Sequence, residues 1–230
     1  MKINRWINLL GSKNQRNRDG SMESLKNEGD FAVQALLDNM KNNDKSRVRR
    51  NCALVLAEIG TSQAKKPIKK MMLDDEDENN RATAVEAFAI LEGKDAISDL
   101  MTVLKDDKSS TVFTAVKEAL SSKNISSRAR KELLNYFKGS DMKMRLRARD
   151  VIIAMNKEAI PDLVSMMKSL SSNDKDVILT IFQTFAKIGD ASVKPDMKEA
   201  RDKFLEWKDQ ERGITTEFYK KLENLYNKLR

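Results

Sequence analysis

The stretch V48-R-R-N-C-A-L-V-L-A-E-I-G60 decides the fold. It opens on an apolar residue, turns basic, then runs through small and aliphatic residues to a glycine. Apolar positions three and four apart mark an amphipathic helix rather than a strand. The stretch also recurs, as N80-R-A-T-A-V-E-A-F-A-I-L-E-G93, V112-F-T-A-V-K-E-A-L and M144-R-L-R-A-R-D-V-I-I-A-M. A further copy, V177-I-L-T-I-F-Q-T-F-A-K-I-G189, ends in Ile-Gly as the first does. The copies start at Val48, Asn80, Val112, Met144 and Val177, a near-constant period. Five such copies predict an array in which each unit stacks on the next.

A second block keeps the same period. Ala32, Ala64, Ala96 and Ala159 open segments with Leu36, Ile68, Leu100 and Leu163 at matching places, and a block from Ala129 fits with a slip of one position. Between the two blocks lie polar turns such as K41-N-N-D-K-S46 and D74-D-E-D-E-N79. Their Asp, Asn and Ser suit helix starts, where side-chain oxygens accept otherwise free backbone N–H groups. Each unit therefore reads as helix, turn, helix.

This pattern resembles HEAT repeats, most closely the short variety first named for phycobilisome bilin lyases. Val48, Arg49, Ala53, Ile59 and Gly60 match the family's second helix. Asn80 and Met144 replace the Val, and Phe113 and Ile178 replace the Arg. The resemblance spans about residues 30–200. It implies an all-α, right-handed α-solenoid of about five helix pairs with extra capping helices. It also implies that second helices line a concave face, and that Arg49, Arg81 and Arg145 pair with turn carboxylates, for which Asp44, Asp75, Asp107 and Asp141 are available.

The expected organisation is an amphipathic helix and polar, basic linker at 1–29, a repeat array at 30–211, and a capping helix at 212–230. Ile3, Trp6, Ile7 and Leu10 give the first helix one apolar face. It could fold back as a cap, dock on a partner, or lie on an anionic membrane surface through residues 1–10. At the other end Phe204, Leu205 and Trp207, with Ile214, Phe218, Leu222, Leu225 and Leu229, predict a helical hairpin over the last repeat.

Composition narrows the chemistry. The 230 residues contain no His and one Cys, which excludes imidazole catalysis and His- or thiolate-built zinc sites. No apolar run reaches the roughly 18 residues needed to span a bilayer, and the opening segment does not read as a secretory signal. A cytoplasmic location is expected, with no cofactor and no metal. Cys52 falls at a core position and reads as a small buried hydrophobe.

The formal net charge is +8. Residues 123–149 hold nine Lys or Arg, Lys123 among them, against Glu132 and Asp141. Arg128, Arg130, Lys131, Lys143 and Arg149 form a candidate anion patch that could meet nucleic-acid phosphates. Against that, Leu54, Glu86, Glu118, Asp150 and Gln183 recur at one position of the second helix. That row puts carboxylates on a face that a phosphate-binding groove would keep free of them. The expectation is a non-catalytic scaffold, not an enzyme, that binds a charged peptide or helix of a protein partner through Arg50, Leu54, Glu86, Glu118, Arg147 and Asp150. The alternative is nucleic-acid binding through residues 123–149. Further behind stand a DNA glycosylase-like enzyme and a bilin-lyase-like protein. The spacing of Glu86, Glu118 and Asp150 reflects the repeat rather than an acid–base pair.

Overall fold

A computed structural model describes residues 2–122, 126–139, 141–209 and 215–229. Lys123 and Ile214 lie outside the described residues. The described residues are all-α, stacked helical hairpins of the α-solenoid class, and the chain divides into two compact units, Met1–Leu120 and Ser121–Arg230.

In the N-terminal unit, the opening stretch becomes helix α4 (Ser46–Ile59), preceded by α3 (Asp30–Asn42). The next pairs are α5 (Lys65–Asp74) with α6 (Glu78–Glu92), and α7 (Ile97–Asp106) with α8 (Ser110–Ser121). Gly60 ends α4 in the left-handed conformation, φ 78°, with its N–H returned to the carbonyls of Leu56 and Ala57. A side chain there would be strained, which explains the Ile-Gly ending. Helix α4 packs against α6, and α3 and α5 pack against α4 and α6 respectively. Ala53, Ala57, Ala84 and Ala87 are fully or almost fully buried, so small side chains occupy the packed faces of α4 and α6.

The polar turns form a ladder. Arg49 donates to the carbonyl of Asn43 in its own turn and reaches Asp75 of the next turn at 3.5 Å. One repeat on, Arg81 donates to the carbonyl of Asp75 at 2.9 Å and to Asp107 at 2.8 Å. Asn80, which replaces an apolar residue of the repeat, is fully buried and donates to Asp75 at 3.1 Å. Ser46 donates to Asp77, which also caps α6 by accepting from the backbone of Asn79. The Ser46 hydroxyl, followed by the Asn79 N–H, holds the Asp77 carboxyl down at about 2.

The segment before α3 departs from the expected linker. Helix α1 (Lys2–Leu9) is followed by a second helix, α2 (Gln15–Glu28), capped by Asn14. Helix α1 is docked, packing on α2, α3 and α4 with Ile7 and Leu10 buried. Asn51 of α4 donates to the carbonyl of Leu10 at 2.8 Å, and Arg47 to that of Ser12. Leu25 and Ser21 are the buried residues of α2, which is otherwise polar. An inward stripe of one Leu and one Ser is too sparse to show in the sequence.

The C-terminal unit repeats the plan with α9 (Ser126–Lys138) and α10 (Met142–Met155), then α11 (Ile160–Lys168) and α12 (Lys175–Ile188). Asp141 caps α10 through the N–H of Met144 rather than pairing with an Arg. Arg145 donates to the carbonyl of Gly139 and lies 3.8 Å from Asp176, in the first turn of α12. Helix α13 (Lys194–Asp209) and α14 (Thr216–Lys228) form the last hairpin, with α14 against both α12 and α13. Phe204 stacks edge-on to Trp207, with ring centroids 4.7 Å apart, and lies 5.8 Å from Phe218.

Candidate partner-binding face

The second helices carry the row singled out in the sequence. In the N-terminal unit, Arg50 and Leu54 are half-buried on α4, one turn apart, while Glu86 on α6 and Glu118 on α8 are exposed. Arg50 lies toward the turn, where its charge helps to hold Asp77 ionised. One turn beyond Leu54, Glu58 joins the same stripe and pairs with Lys26 of α2 at 3.6 Å.

Glu86 is the centre of this group. Partial burial of its carboxyl, then the nearby carboxylates Glu118 and Glu58, push it above the usual range. Desolvation and like charge both disfavour its ionised form. Among the described residues Glu86 has no ion-pair partner. Ile90, one turn along α6, is 50% exposed and adds an apolar element beside the carboxylates. Sequence reasoning missed Glu58 because its counterpart one repeat on is Ile90, not a carboxylate.

The C-terminal unit treats the row differently. Asp150 accepts two hydrogen bonds from Arg149, at 3.0 and 2.8 Å, and Arg149 also reaches Gln183 at 3.4 Å. Asp150 and Gln183, both members of the row, are thereby tied together by a residue assigned from sequence to the anion patch. Arg147 is half-buried on the same helix.

The anion patch is not a set of uncommitted cations. Arg130 donates to Asp162 at 2.8 Å and lies 3.5 Å from Glu158. Arg149 is engaged as above, while Arg128, Lys131 and Lys143 are exposed. Arg145, the Arg of the repeat pattern, is 5% exposed and belongs to the helix–turn framework.

Cys52 is fully buried, and burial pushes its thiol up to about 12. Among the described residues no cluster of carboxylates and cysteine is placed to hold a metal ion, and no helix is long and apolar enough to cross a membrane.

A family model described as HEAT repeats matches residues 33–121, so this stretch, α3 to α8, carries the repeat that the sequence resembles. No curated protein sequence matches the chain. Among solved structures, one similar to this chain is the complex of CpcE and CpcF of phycocyanin lyase from Nostoc sp. PCC7120. The match has 16% identity and a TM-score of 0.45, over 100% of this chain and 95% of that one. The expectation that the chain is not an enzyme is corrected here. The similar structure is that of a phycocyanin lyase, and a fold does not by itself decide whether a chain is catalytic.

Proposed function

We propose that this protein is a HEAT-repeat scaffold that binds another protein across its second helices, and that the N-terminal unit takes a basic segment of that partner. One observation carries the reading: Glu86, beside Glu58 and Glu118, is held above its usual ionisation range and has no cation of its own among the described residues. A Lys or Arg side chain from outside would relieve the repulsion, and Ile90 and Leu54 offer apolar contact next to it. Arg147 and Asp150 are the corresponding contact residues of the C-terminal unit. Residues 30–211 act as the array, with 1–29 and 212–230 as its ends.

The test is affinity capture with the full chain and with a Glu86→Lys, Glu118→Lys double variant. Both replaced residues are exposed, so circular dichroism should show the same helix content. Loss of the captured protein in the variant, with retention in an Arg128→Glu variant, supports the reading. Equal capture by both chains refutes it. Labelled duplex DNA is the parallel probe: binding that survives about 200 mM salt and is lost on Arg128→Glu with Arg147→Glu would instead assign the function to phosphate contacts.

A further inference from the structure

The first helices of successive pairs are joined by a recurring ion pair. In three of them a one-turn 3-10 segment ends in a buried apolar residue, Ala96, Ala159 or Val193, and the third residue of the helix that follows is Asp99, Asp162 or Asp196. Each of these carboxylates meets a cation of the preceding first helix: Lys69 with Asp99 at 2.7 Å, Arg130 with Asp162 at 2.8 Å, Lys168 with Asp196 at 2.8 Å. The same register in α5 starts from Ala64, and its third residue is Pro67. The joint between α3 and α5 therefore lacks the carboxylate that these three have.

That joint is an open groove of about 520 Å³, with Leu37, Met40, Pro67 and Met71 along its floor. Lys41, Lys66 and Lys70 stand on its rim. Helix α5 carries four lysines, and two of them are satisfied on the far side, Lys65 by Glu92 and Lys69 by Asp99. Lys66, Lys70 and Lys41 have no ion-pair partner among the described residues. Of the acids at the rim, Asp38 is engaged by Gln34 and Asp75 by Arg49, which leaves Asp74. Phe31, 86% exposed, lies two turns before Asp38 on α3.

We propose that this groove between α3 and α5 docks an acidic, amphipathic segment of a partner protein, whose carboxylates take the place of the absent aspartate and meet Lys41, Lys66 and Lys70, and whose apolar side chains cover Leu37, Met40, Pro67 and Met71. The apolar floor requires a ligand with hydrophobic side chains as well as negative charge, which separates a peptide from a nucleic-acid backbone. This surface lies on the first helices, apart from the Glu86 face of the second helices, and the two readings stand or fall separately.

The test is selection of a random peptide library on the full chain, followed by anisotropy titration of the enriched peptides. Enrichment of Asp and Glu around Leu, Met or Phe is expected. Affinity should fall at least tenfold on Lys66→Glu with Lys70→Glu, and should weaken as salt is raised. Pro67→Asp, which supplies the missing carboxylate within the chain, should also cut affinity severalfold, while Glu86→Lys with Glu118→Lys should leave it within twofold. Three results would overturn the proposal: enriched peptides without acidic bias, acidic peptides that bind the Lys66→Glu, Lys70→Glu chain within threefold of wild type, or phosphatidylserine vesicles or duplex DNA binding through these lysines more tightly than any selected peptide. Equal capture of the Glu86 face's partner by wild type and by the Glu86→Lys, Glu118→Lys chain, together with intact groove binding, would refute only the function proposed above.

Discussion

Replacing Arg81 with Met removes a guanidinium and keeps much of the apolar stem. In the structure that guanidinium touches Asp107 at 2.8 and 3.4 Å and the carbonyls of Asp75 and Glu76 at 2.9 and 3.3 Å. Hydrogen bonds to charged groups each contribute about 1.5–3 kcal/mol. The pair is shielded but not sealed, with side chains 19% and 14% exposed, so water recovers part of the loss. The expected cost lies between the roughly 0–1 kcal/mol of an exposed pair and the 3–5 kcal/mol of breaking a buried one, at about 2 kcal/mol. Trp6 reports on the N-terminal unit once Trp207 is replaced by Phe, so urea unfolding followed by fluorescence reads this unit separately. Circular dichroism should give the same transition if the unit unfolds in one step. A loss below about 0.5 kcal/mol, or a double-mutant cycle with Asp107→Ala showing no coupling, would refute the ladder as a source of stability. Arg130→Met is the built-in comparison. Its partners Asp162 and Glu158 are 42% and 58% exposed, so about 1 kcal/mol or less is expected.

Further outcomes follow from the ionisable groups and the docked end. The Asp77 carboxyl, at about 2, lies below the ordinary aspartate value, so its contribution to stability is present above about pH 4 and is lost as pH falls toward 2; carboxyl NMR should show that midpoint, moved up toward the ordinary value in Ser46→Ala. Glu86 is shifted the other way, so its ionisation opposes folding as pH rises through its range; Glu86→Gln should be at least as stable as wild type at pH 7 in urea melts and should lose that advantage in acid. The Cys52 thiol should resist a thiol-specific reagent in the native protein and react once the chain is unfolded in denaturant, because burial holds it protonated. Leu10→Ala should cost about 2–4 kcal/mol, read by hydrogen exchange of α1 amides, since Leu10 is fully buried beneath the α4 contact.

The helix pairs are legible because their signal is repeated. Val48–Gly60 corresponds to α4 and its left-handed cap, and equivalent positions one repeat apart land on matching faces of α4 and α6. Helix α2 is illegible because Leu25 and Ser21 alone turn inward, and Gly20 reads as a breaker. The Arg ladder is implied by the resemblance, but its partners follow geometry: Arg49 and Arg81 find Asp75 and Asp107, whereas Arg145 meets Asp176. Charge in sequence misleads most at Arg130 and Arg149, which count as excess cations along the chain and are engaged by carboxylates in space. Pro67 shows the converse. The alignment of repeats displays the missing aspartate, but only the coordinates reveal that Lys41, Lys66 and Lys70 surround the place where it would stand.

The ladder also bears on how such a chain can change length. Arg49 binds a carboxylate 26 residues ahead of it, and Arg81 does the same. Deleting one repeat, from Ala64 to Asp95, would bring Asp107 to the distance along the chain that Asp75 now holds, so Arg49 would meet an equivalent acceptor across the new junction. What the shorter chain would lack is the Ser46–Asp77 bond, because Ser109 would stand in the place of Asp77. The turns of the N-terminal unit thus act as a coupling of constant gauge, with a local fitting peculiar to one joint. Modules can be removed or duplicated at this gauge without rewriting the helices on either side, and the wear of such an edit falls on the fitting.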